Sequence, residues 1–163
     1  MPIVGNGDIA SVLPDRMGIT FLAAGLSNSS KVTYLDFKRE QTMISMYRAG
    51  HIVYFSSLCI YDSNSAYAQY KKDIEEYIKE TCECYTIVRL GNISWGKNPN
   101  TIINYFKNNP NAKVEDGYRY IVDKEEFLYW IGRIRYMTKD IMNITGKLTS
   151  IKEIYERSVH GKW

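Results

Sequence analysis

Short apolar runs alternate with longer amphipathic segments along this chain, and this alternation restricts the possible folds more than any other feature. The clearest apolar runs are 19–24, 51–55 and 85–90. The segments 36–47 and 66–81 between them carry apolar residues at the spacing of a helix. Strands that alternate with helices predict an α/β fold with a largely parallel sheet. The carboxyl ends of parallel strands lie at one edge of the sheet, where functional residues are expected.

Capping residues predict where several helices begin. Ser65 precedes the second amphipathic segment, and Asp123 and Ser150 are each followed by a glutamate three residues later. Serine and aspartate oxygens at such positions accept hydrogen bonds from backbone amides of the first helical turn. Asn98, which a proline follows, predicts the start of another helix over 101–107.

The composition favours an ordinary globular domain and argues against two classes of function. The chain has 163 residues, with 21 Lys and Arg against 18 Asp and Glu, for a formal net charge of +3. This small excess gives no reason to expect a nucleic-acid-binding protein. The longest apolar stretch, 19–26, is too short to span a bilayer, and the first residues lack the pattern of a signal peptide. We therefore expect a cytoplasmic protein without a membrane partner.

The cysteines favour neither a disulfide framework nor a metal site. There are three cysteines and two histidines, and Cys82 and Cys84 form a C-x-C pair. Zinc sites generally need C-x-x-C spacing with further Cys or His ligands. We expect reduced thiols and no bound metal.

A glycine-containing turn follows the first apolar residues. Gly5, Asn6, Gly7 and Ala10 form a G-x-G-x-x-A pattern, and a short helix is expected over 8–13. The two glycines would permit a tight turn and the close approach of a pyrophosphate, and alanine would let the helix pack on the sheet. Glycines in a strand-to-helix turn are also common for purely structural reasons. The pattern alone therefore leaves dinucleotide binding and a plain turn both open.

A serine, a tyrosine and a lysine form a second candidate site. The strand expected over 51–55 is followed by two serines, of which Ser57 is the second. Tyr67 and Lys71 are four residues apart near the start of the next helix. Residues at this spacing share one helical face. A lysine ammonium stabilises a nearby phenolate, so the tyrosine can exchange protons with a substrate hydroxyl. The alternative is a core tyrosine beside a solvated lysine, because the chain has 14 tyrosines and the spacing arises by chance.

In this order along the chain, these motifs resemble the extended short-chain dehydrogenases/reductases, in particular the NAD-dependent nucleotide-sugar epimerases and dehydratases. The segments 21–27, 89–96 and 120–123 resemble further conserved segments of that family. The resemblance implies a Rossmann-like three-layer fold with a shortened, mostly parallel sheet and a small C-terminal substrate portion. Residues 1–163 would form one domain, in which 97–163 contribute the abbreviated substrate side.

The resemblance also implies a role for each candidate catalytic residue. Tyr67 would be the general acid/base, Lys71 would bind the nicotinamide ribose and tune Tyr67, and Ser57 would orient the reacting oxygen. Ser56 is the alternative if the register differs by one residue. The cofactor would be NAD or NADP.

Binding residues are implied as well. Asn92 would contact the diphosphate of a nucleotide-sugar substrate, and Arg119 would do likewise. The aromatic residues of the helix over 66–81, together with the resemblance, predict a homodimer. The implied cofactor-binding residues are Gly5, Asn6, Gly7, Ala10, Ala23, Ala24, Gly25 and Lys71.

The sequence departs from the family pattern after the glycine turn. Only residues 15–18 separate the expected first helix from the strand at 19–24. The second and third strands of the family, which carry the residue that selects NAD or NADP, therefore have no counterpart. The resemblance favours an NAD(P)-dependent epimerase/dehydratase-like enzyme, and the alternative is a catalytically degenerate relative that acts as a nucleotide-binding or interaction module.

Overall fold

A computed structural model describes residues 2–26 and 28–163. The strands are β1 Ile3–Val4, β2 Ile19–Leu22, β3 His51–Ser57, β4 Cys84–Leu90, β5 Asn92–Ile93, β6 Tyr118–Val122, β7 Lys139–Ile144 and β8 Lys147–Ser150. The helices are α1 Tyr34–Tyr47, α2 Ala66–Thr81, α3 Ile102–Asn108, α4 Lys124–Ile131 and α5 Ile151–Val159. None of the helices within the described ranges is long and apolar enough to cross a bilayer.

Five parallel strands form the main sheet, in the order β1-β2-β3-β4-β7. Successive side chains of a strand point to opposite faces of the sheet, and apolar residues lie on both faces. On β3, Ile52 and Tyr54 pack in the core shared with α1 and α2, whereas Val53 and Phe55 pack with Phe127 of α4. The sheet is therefore the middle of three layers. This confirms the predicted α/β fold with a mostly parallel sheet.

The first crossover of the main sheet is short. The segment between β1 and β2 contains one 3₁₀ turn, Ala10–Val12, where a helix over 8–13 was expected. Pro14 lies two residues after the turn, and a proline is not tolerated in the interior of a helix, so no longer helix forms here. β1 has two residues and lies at the edge of the sheet, and no described strand pairs with its outer side.

A second, smaller sheet lies beside the main one. β5 pairs in parallel with β6, and β6 pairs antiparallel with β8. α3 and α5 pack against this sheet around Ile103, Phe106, Ile121 and Ile154. The segment after residue 97 also contributes α4 and β7 to the main layers. That 97–163 forms the substrate side stays a prediction.

Three of the four capping predictions are confirmed. Ser65, Asp123 and Ser150 each accept a hydrogen bond from the backbone amide three residues later, at the starts of α2, α4 and α5. The fourth is wrong, because Thr101 caps α3 in place of Asn98. The backbone from Asn98 to Thr101 closes a turn before the helix begins, with the amide of Thr101 bonded to the Asn98 carbonyl at 3.3 Å.

Candidate active site

A cleft of about 570 Å³ opens at the carboxyl ends of β1 to β4. Its walls are the glycine turn after β1, the chain after β2, the end of β3, the first turn of α2 and the turn after β4. These segments meet because parallel strands end at one edge of the sheet. The residues predicted from the sequence that line this cleft are Asn6, Gly7, Ala23, Gly25, Ser57, Tyr67, Lys71 and Asn92.

Four other predicted residues lie outside the lining of this cleft. Gly5 has φ +130°, and a Cβ there would overlap the backbone of Ala23. Glycine is therefore required where the turn presses against the chain after β2. Ala10 is buried, Ala24 is half-buried beside the cleft, and Arg119 belongs to a neighbouring cleft. Their binding roles stay predictions.

Lys71 lies at the floor of the cleft and is 2% exposed. Its Nζ donates hydrogen bonds to Tyr54 Oη at 2.8 Å and to the Phe55 carbonyl at 3.1 Å. The Tyr54 hydroxyl in turn donates to Glu40 Oε2 at 2.8 Å, and Glu40 Oε1 accepts from the Leu26 amide at 3.2 Å. An ammonium, a phenol and a carboxylate are thus joined in one buried chain of hydrogen bonds.

Burial sets the ionisation of the tyrosines in this network. Burial, and then the Glu40 carboxylate, raise the pKa of Tyr54 far above its ordinary value. The same two causes raise the pKa of Tyr70, whose buried hydroxyl has no hydrogen-bond partner among the described residues. Both phenols therefore remain protonated at neutral pH.

Tyr67 is the half-buried tyrosine of this group. It lies in the first turn of α2 and lines the cleft, and its ring centroid is 5.7 Å from Lys71 Nζ. Its ring also stacks on Tyr70 at 6.3 Å. An ammonium at this separation attracts both the face of the ring and a phenolate. The pair predicted from the spacing is therefore close in space.

The two candidate serines differ in what their hydroxyls do. Ser57 Oγ accepts a hydrogen bond from the Cys59 amide at 3.2 Å, which leaves its proton available for a ligand. Ser56 is buried, and its hydroxyl donates to Glu75 Oε1 at 2.6 Å. Glu75 also pairs with Arg89 at 2.7 Å. This favours Ser57 as the serine that can donate to a substrate oxygen.

A second cleft of about 600 Å³ adjoins the first and shares Ser57 and Asn92 with it. Tyr118, Arg119 and Tyr120 of β6 form its wall. The Asn92 amide nitrogen donates to the Tyr120 carbonyl at 3.3 Å, and Arg119 donates to the Tyr118 carbonyl at 2.8 Å. The two residues expected to contact a substrate diphosphate thus line one cleft.

Asp8 connects the glycine turn to the loop before α3. Its two carboxylate oxygens accept hydrogen bonds from the amides of Lys97 at 2.9 Å and Asn98 at 2.8 Å. Gly96 has φ +98°, and a Cβ there would overlap the Asp8 side chain. The loop can therefore reach Asp8 only because residue 96 is glycine.

Glu40, Tyr54 and Glu75 are not among the residues predicted from the sequence. Glu40 had a detectable signal, because it lies on the apolar stripe of α1 three residues after Phe37 and four before Ile44. A carboxylate on a buried stripe needs a polar partner in the core. Tyr54 has the pattern of an ordinary core aromatic, and nothing in the sequence distinguishes it.

Comparison with known proteins identifies the fold. No family model matches the sequence, and no curated protein sequence matches it. Among solved structures, the *Bordetella bronchiseptica* enzyme WbmG in complex with NAD has a TM-score of 0.64 and 15% identity, over 88% of this chain and 56% of that chain. *Thermus thermophilus* UDP-glucose 4-epimerase with NAD has a TM-score of 0.63 and 13% identity, over 89% of this chain and 62% of that one. The chain has the fold of the extended short-chain dehydrogenases/reductases.

A third solved structure supports the same fold. *Bacillus anthracis* dTDP-4-dehydrorhamnose reductase in complex with NADP has a TM-score of 0.64 and 14% identity, over 88% of this chain and 62% of that chain. The present chain spans less than two thirds of the length of each of these three structures.

Proposed function

We propose that this protein is an NAD(P)-dependent oxidoreductase of the epimerase/dehydratase type that acts on a nucleotide sugar. The supporting observation is that Ser57, Tyr67 and Lys71, from two different elements, face one cleft with the glycine turn at its other side. Solved structures of the same fold contain NAD or NADP, and the WbmG structure also contains UDP.

The small residues of the cleft fit a flat nicotinamide and its ribose. A Cβ at Gly7 would meet no atom within 4 Å, so the turn there is open. A Cβ at Gly25 would lie 3.0 Å from Glu40 Oε1 and 3.4 Å from Lys71 Nζ. Glycine at this position therefore avoids crowding Glu40 and Lys71 at the floor of the cleft. When bound, the cofactor supplies the acceptor and donor of hydride.

Tyr67 is the proposed acid/base. The Tyr67 phenolate would accept the hydroxyl proton of a substrate carbinol, and a bound nicotinamide would supply the acceptor for the hydride from its carbon, so that the carbinol would be oxidised to a carbonyl. The Lys71 ammonium stabilises the phenolate by its charge, and the Ser57 hydroxyl donates to the substrate oxygen. In the reverse direction, Tyr67 would return the proton to the substrate oxygen.

The second cleft is the proposed site for the nucleotide portion of the substrate. The Arg119 guanidinium suits a diphosphate, and the exposed rings of Tyr118 and Tyr120 offer flat surfaces for a base. Asn92 lies where the two clefts meet. A nucleotide sugar bound across both clefts would place its sugar beside Ser57.

The alternative is a catalytically degenerate relative that binds a nucleotide or a protein partner. The hydrogen bonds of Lys71 favour this alternative, because two of its three ammonium protons are already donated to Tyr54 and to the Phe55 carbonyl. The edge position of β1 favours it too, because no described strand flanks the adenosine side of the turn. The two proposals differ in whether Tyr67 transfers a proton.

A cofactor titration distinguishes an active site from an inert scaffold. The Trp95 indole donates to the Asp8 carbonyl at 3.1 Å, so it lies beside the glycine turn and can transfer energy to reduced nicotinamide. We expect saturable energy transfer with NADH or NADPH, weakened in Lys71→Ala and unchanged in Lys72→Ala. Tyr67→Phe should bind the cofactor and lose turnover of a nucleotide sugar. The absence of any saturable signal in the wild-type protein would refute the proposal.

A homodimer is also proposed. The tyrosines of α2 that predicted it are partly used within the chain, since Tyr70 is buried and the Tyr77 hydroxyl meets Ser45 Oγ at 2.7 Å. α1 instead exposes Leu35 and Met46, at 77% and 72%. Exposed apolar side chains on one helix favour an interface there. Light scattering should give twice the chain mass, and Leu35→Asp should lower it to a monomer.

A further inference from the structure

A buried carboxylate and a buried ammonium lie beneath the cleft. Glu40 is 0% exposed, Tyr54 1% and Lys71 2%. Charged side chains are almost never buried this fully unless another charge or several hydrogen bonds balance them. No other carboxylate among the described residues bonds to Lys71 or to Tyr54. Glu40 is therefore the counter-charge of Lys71, although the phenol of Tyr54 stands between them.

The chemistry of the three groups fixes the direction of every hydrogen bond. An ammonium has donors only, so Tyr54 Oη must accept from Lys71. The single hydroxyl proton of Tyr54 is then given to Glu40, which accepts it at 2.8 Å. The second ammonium proton goes to the Phe55 carbonyl. One ammonium proton remains, and Lys71 contributes to the lining of the cleft.

We propose that Glu40, acting through Tyr54, holds the Lys71 ammonium in place and directs its remaining proton into the cleft, so that Glu40 and Tyr54 are positioning residues for the reaction. This inference rests on the proposed function, in which Lys71 binds the cofactor ribose and stabilises the Tyr67 phenolate. Without the carboxylate, the buried ammonium has no counter-charge. Without the phenol, it loses both an acceptor and its connection to Glu40.

The test observes Lys71 directly in the full chain without cofactor. Protein labelled with ¹⁵N-lysine should show one slowly exchanging ammonium signal at neutral pH, because buried, bonded ammonium protons exchange slowly with water. Its absence in Lys71→Arg assigns it. Glu40→Gln and Tyr54→Phe keep the side-chain shape and remove only the charge or the hydroxyl. Tyr85→Phe is the matched control, because Tyr85 lies in the same core cluster and makes no hydrogen bond to Lys71.

We expect the signal to disappear in Glu40→Gln and Tyr54→Phe and to persist in Tyr85→Phe. Retention of the signal in both test variants would overturn the proposal. If Glu40→Gln fails to fold, Tyr54→Phe decides the result by the same signal, since removal of one buried oxygen is a smaller change.

A parallel NADH titration separates this inference from the proposed function. Glu40→Gln and Tyr54→Phe should weaken binding about tenfold, as expected for loss of a charge-assisted hydrogen bond. Tyr85→Phe should bind as the wild type does. If wild-type protein binds no NADH, the proposed function fails, and the ammonium signal still decides whether Glu40 and Tyr54 position Lys71.

Discussion

The floor of the cleft and the glycine turn at its outer side are built differently. At the floor, Lys71, Tyr54 and Glu40 are buried and joined by hydrogen bonds of 2.8 Å. At the turn, β1 contributes two residues to the edge of the sheet, and backbone amides of a neighbouring loop hold the carboxylate of Asp8. The chain thus has a buried polar network at the proposed reaction centre, whereas the described residues include little structure beyond the turn.

The difference indicates where each region gains its stability. The floor depends on particular charged and polar atoms, because a buried charge is costly once its partner is removed. The turn depends on the backbone, because glycine is required where chain segments approach closely. Substitutions should therefore affect the two regions by different mechanisms.

The largest effect is expected at the floor. Glu40→Ala removes the counter-charge of a buried ammonium, and such a change costs about 3–5 kcal/mol of unfolding free energy. Urea unfolding followed by circular dichroism measures it. Glu76→Ala is the control, because Glu76 is 63% exposed and pairs with Lys79 at the surface. A loss at Glu40 no larger than at Glu76 would show that the buried network contributes nothing to stability.

The next effect concerns the glycine turn. Gly5→Ala should destabilise the fold by about 1–3 kcal/mol, because its φ of +130° strains any other residue and its Cβ would overlap the chain after β2. Gly7→Ala provides the contrast, since a Cβ there meets nothing within 4 Å. We expect Gly7→Ala to unfold like the wild type and to weaken NADH binding. Equal stability losses at the two glycines would contradict this distinction.

The smallest expected effect is a pH dependence of the folding stability, which arises from His51 at the end of the sheet opposite the cleft. Buried His51 accepts a hydrogen bond from the Met137 amide at Nδ1, so its Nε2 carries the proton toward Thr86. Burial, and then the charge of Arg16, lower the pKa of His51 below its ordinary value. The unfolded chain therefore binds this proton more readily, and the His51 contribution to stability is complete above about pH 6.5 and falls as the pH drops toward the lowered pKa.

Thermal unfolding between pH 8 and pH 5 measures this dependence. His51→Gln should flatten the decrease below about pH 6.5, because the group that titrates is gone. His160→Asn is the control, because His160 is exposed at the end of α5 and should leave the profile unchanged. A profile that does not change in His51→Gln would assign the acid sensitivity to other groups.

Much of the main sheet could be predicted from the sequence, and much of the second sheet could not. The residues from Ile52 to Phe55 in β3 form an uninterrupted apolar run, because helices cover both faces of this strand. β7 was missed because it lies at the edge of the sheet and alternates exposed residues such as Lys139 and Asn143 with partly buried ones. β5 has two residues, too few for any periodic signal.

The candidate site likewise contains residues that could be predicted from the sequence and residues that could not. Ser57, Tyr67 and Lys71 could be proposed because chemistry at a fixed spacing leaves a pattern in the sequence. Tyr54 could not, because it meets Lys71 only after β3 and α2 pack together. The position of Glu40 on the apolar stripe of α1 indicates a buried carboxylate, but its connection to Lys71 through Tyr54 forms only when α1 packs beside them. Whether the three predicted residues are catalytic stays a prediction.

Calorimetric titration with NADH and its two halves tests the proposed cofactor site most directly. If the floor supplies most of the binding, reduced nicotinamide mononucleotide should bind within about tenfold of NADH, and AMP should bind at least about tenfold more weakly than either. AMP that binds as tightly as NADH, or no binding by reduced nicotinamide mononucleotide, would contradict a nicotinamide site at Lys71.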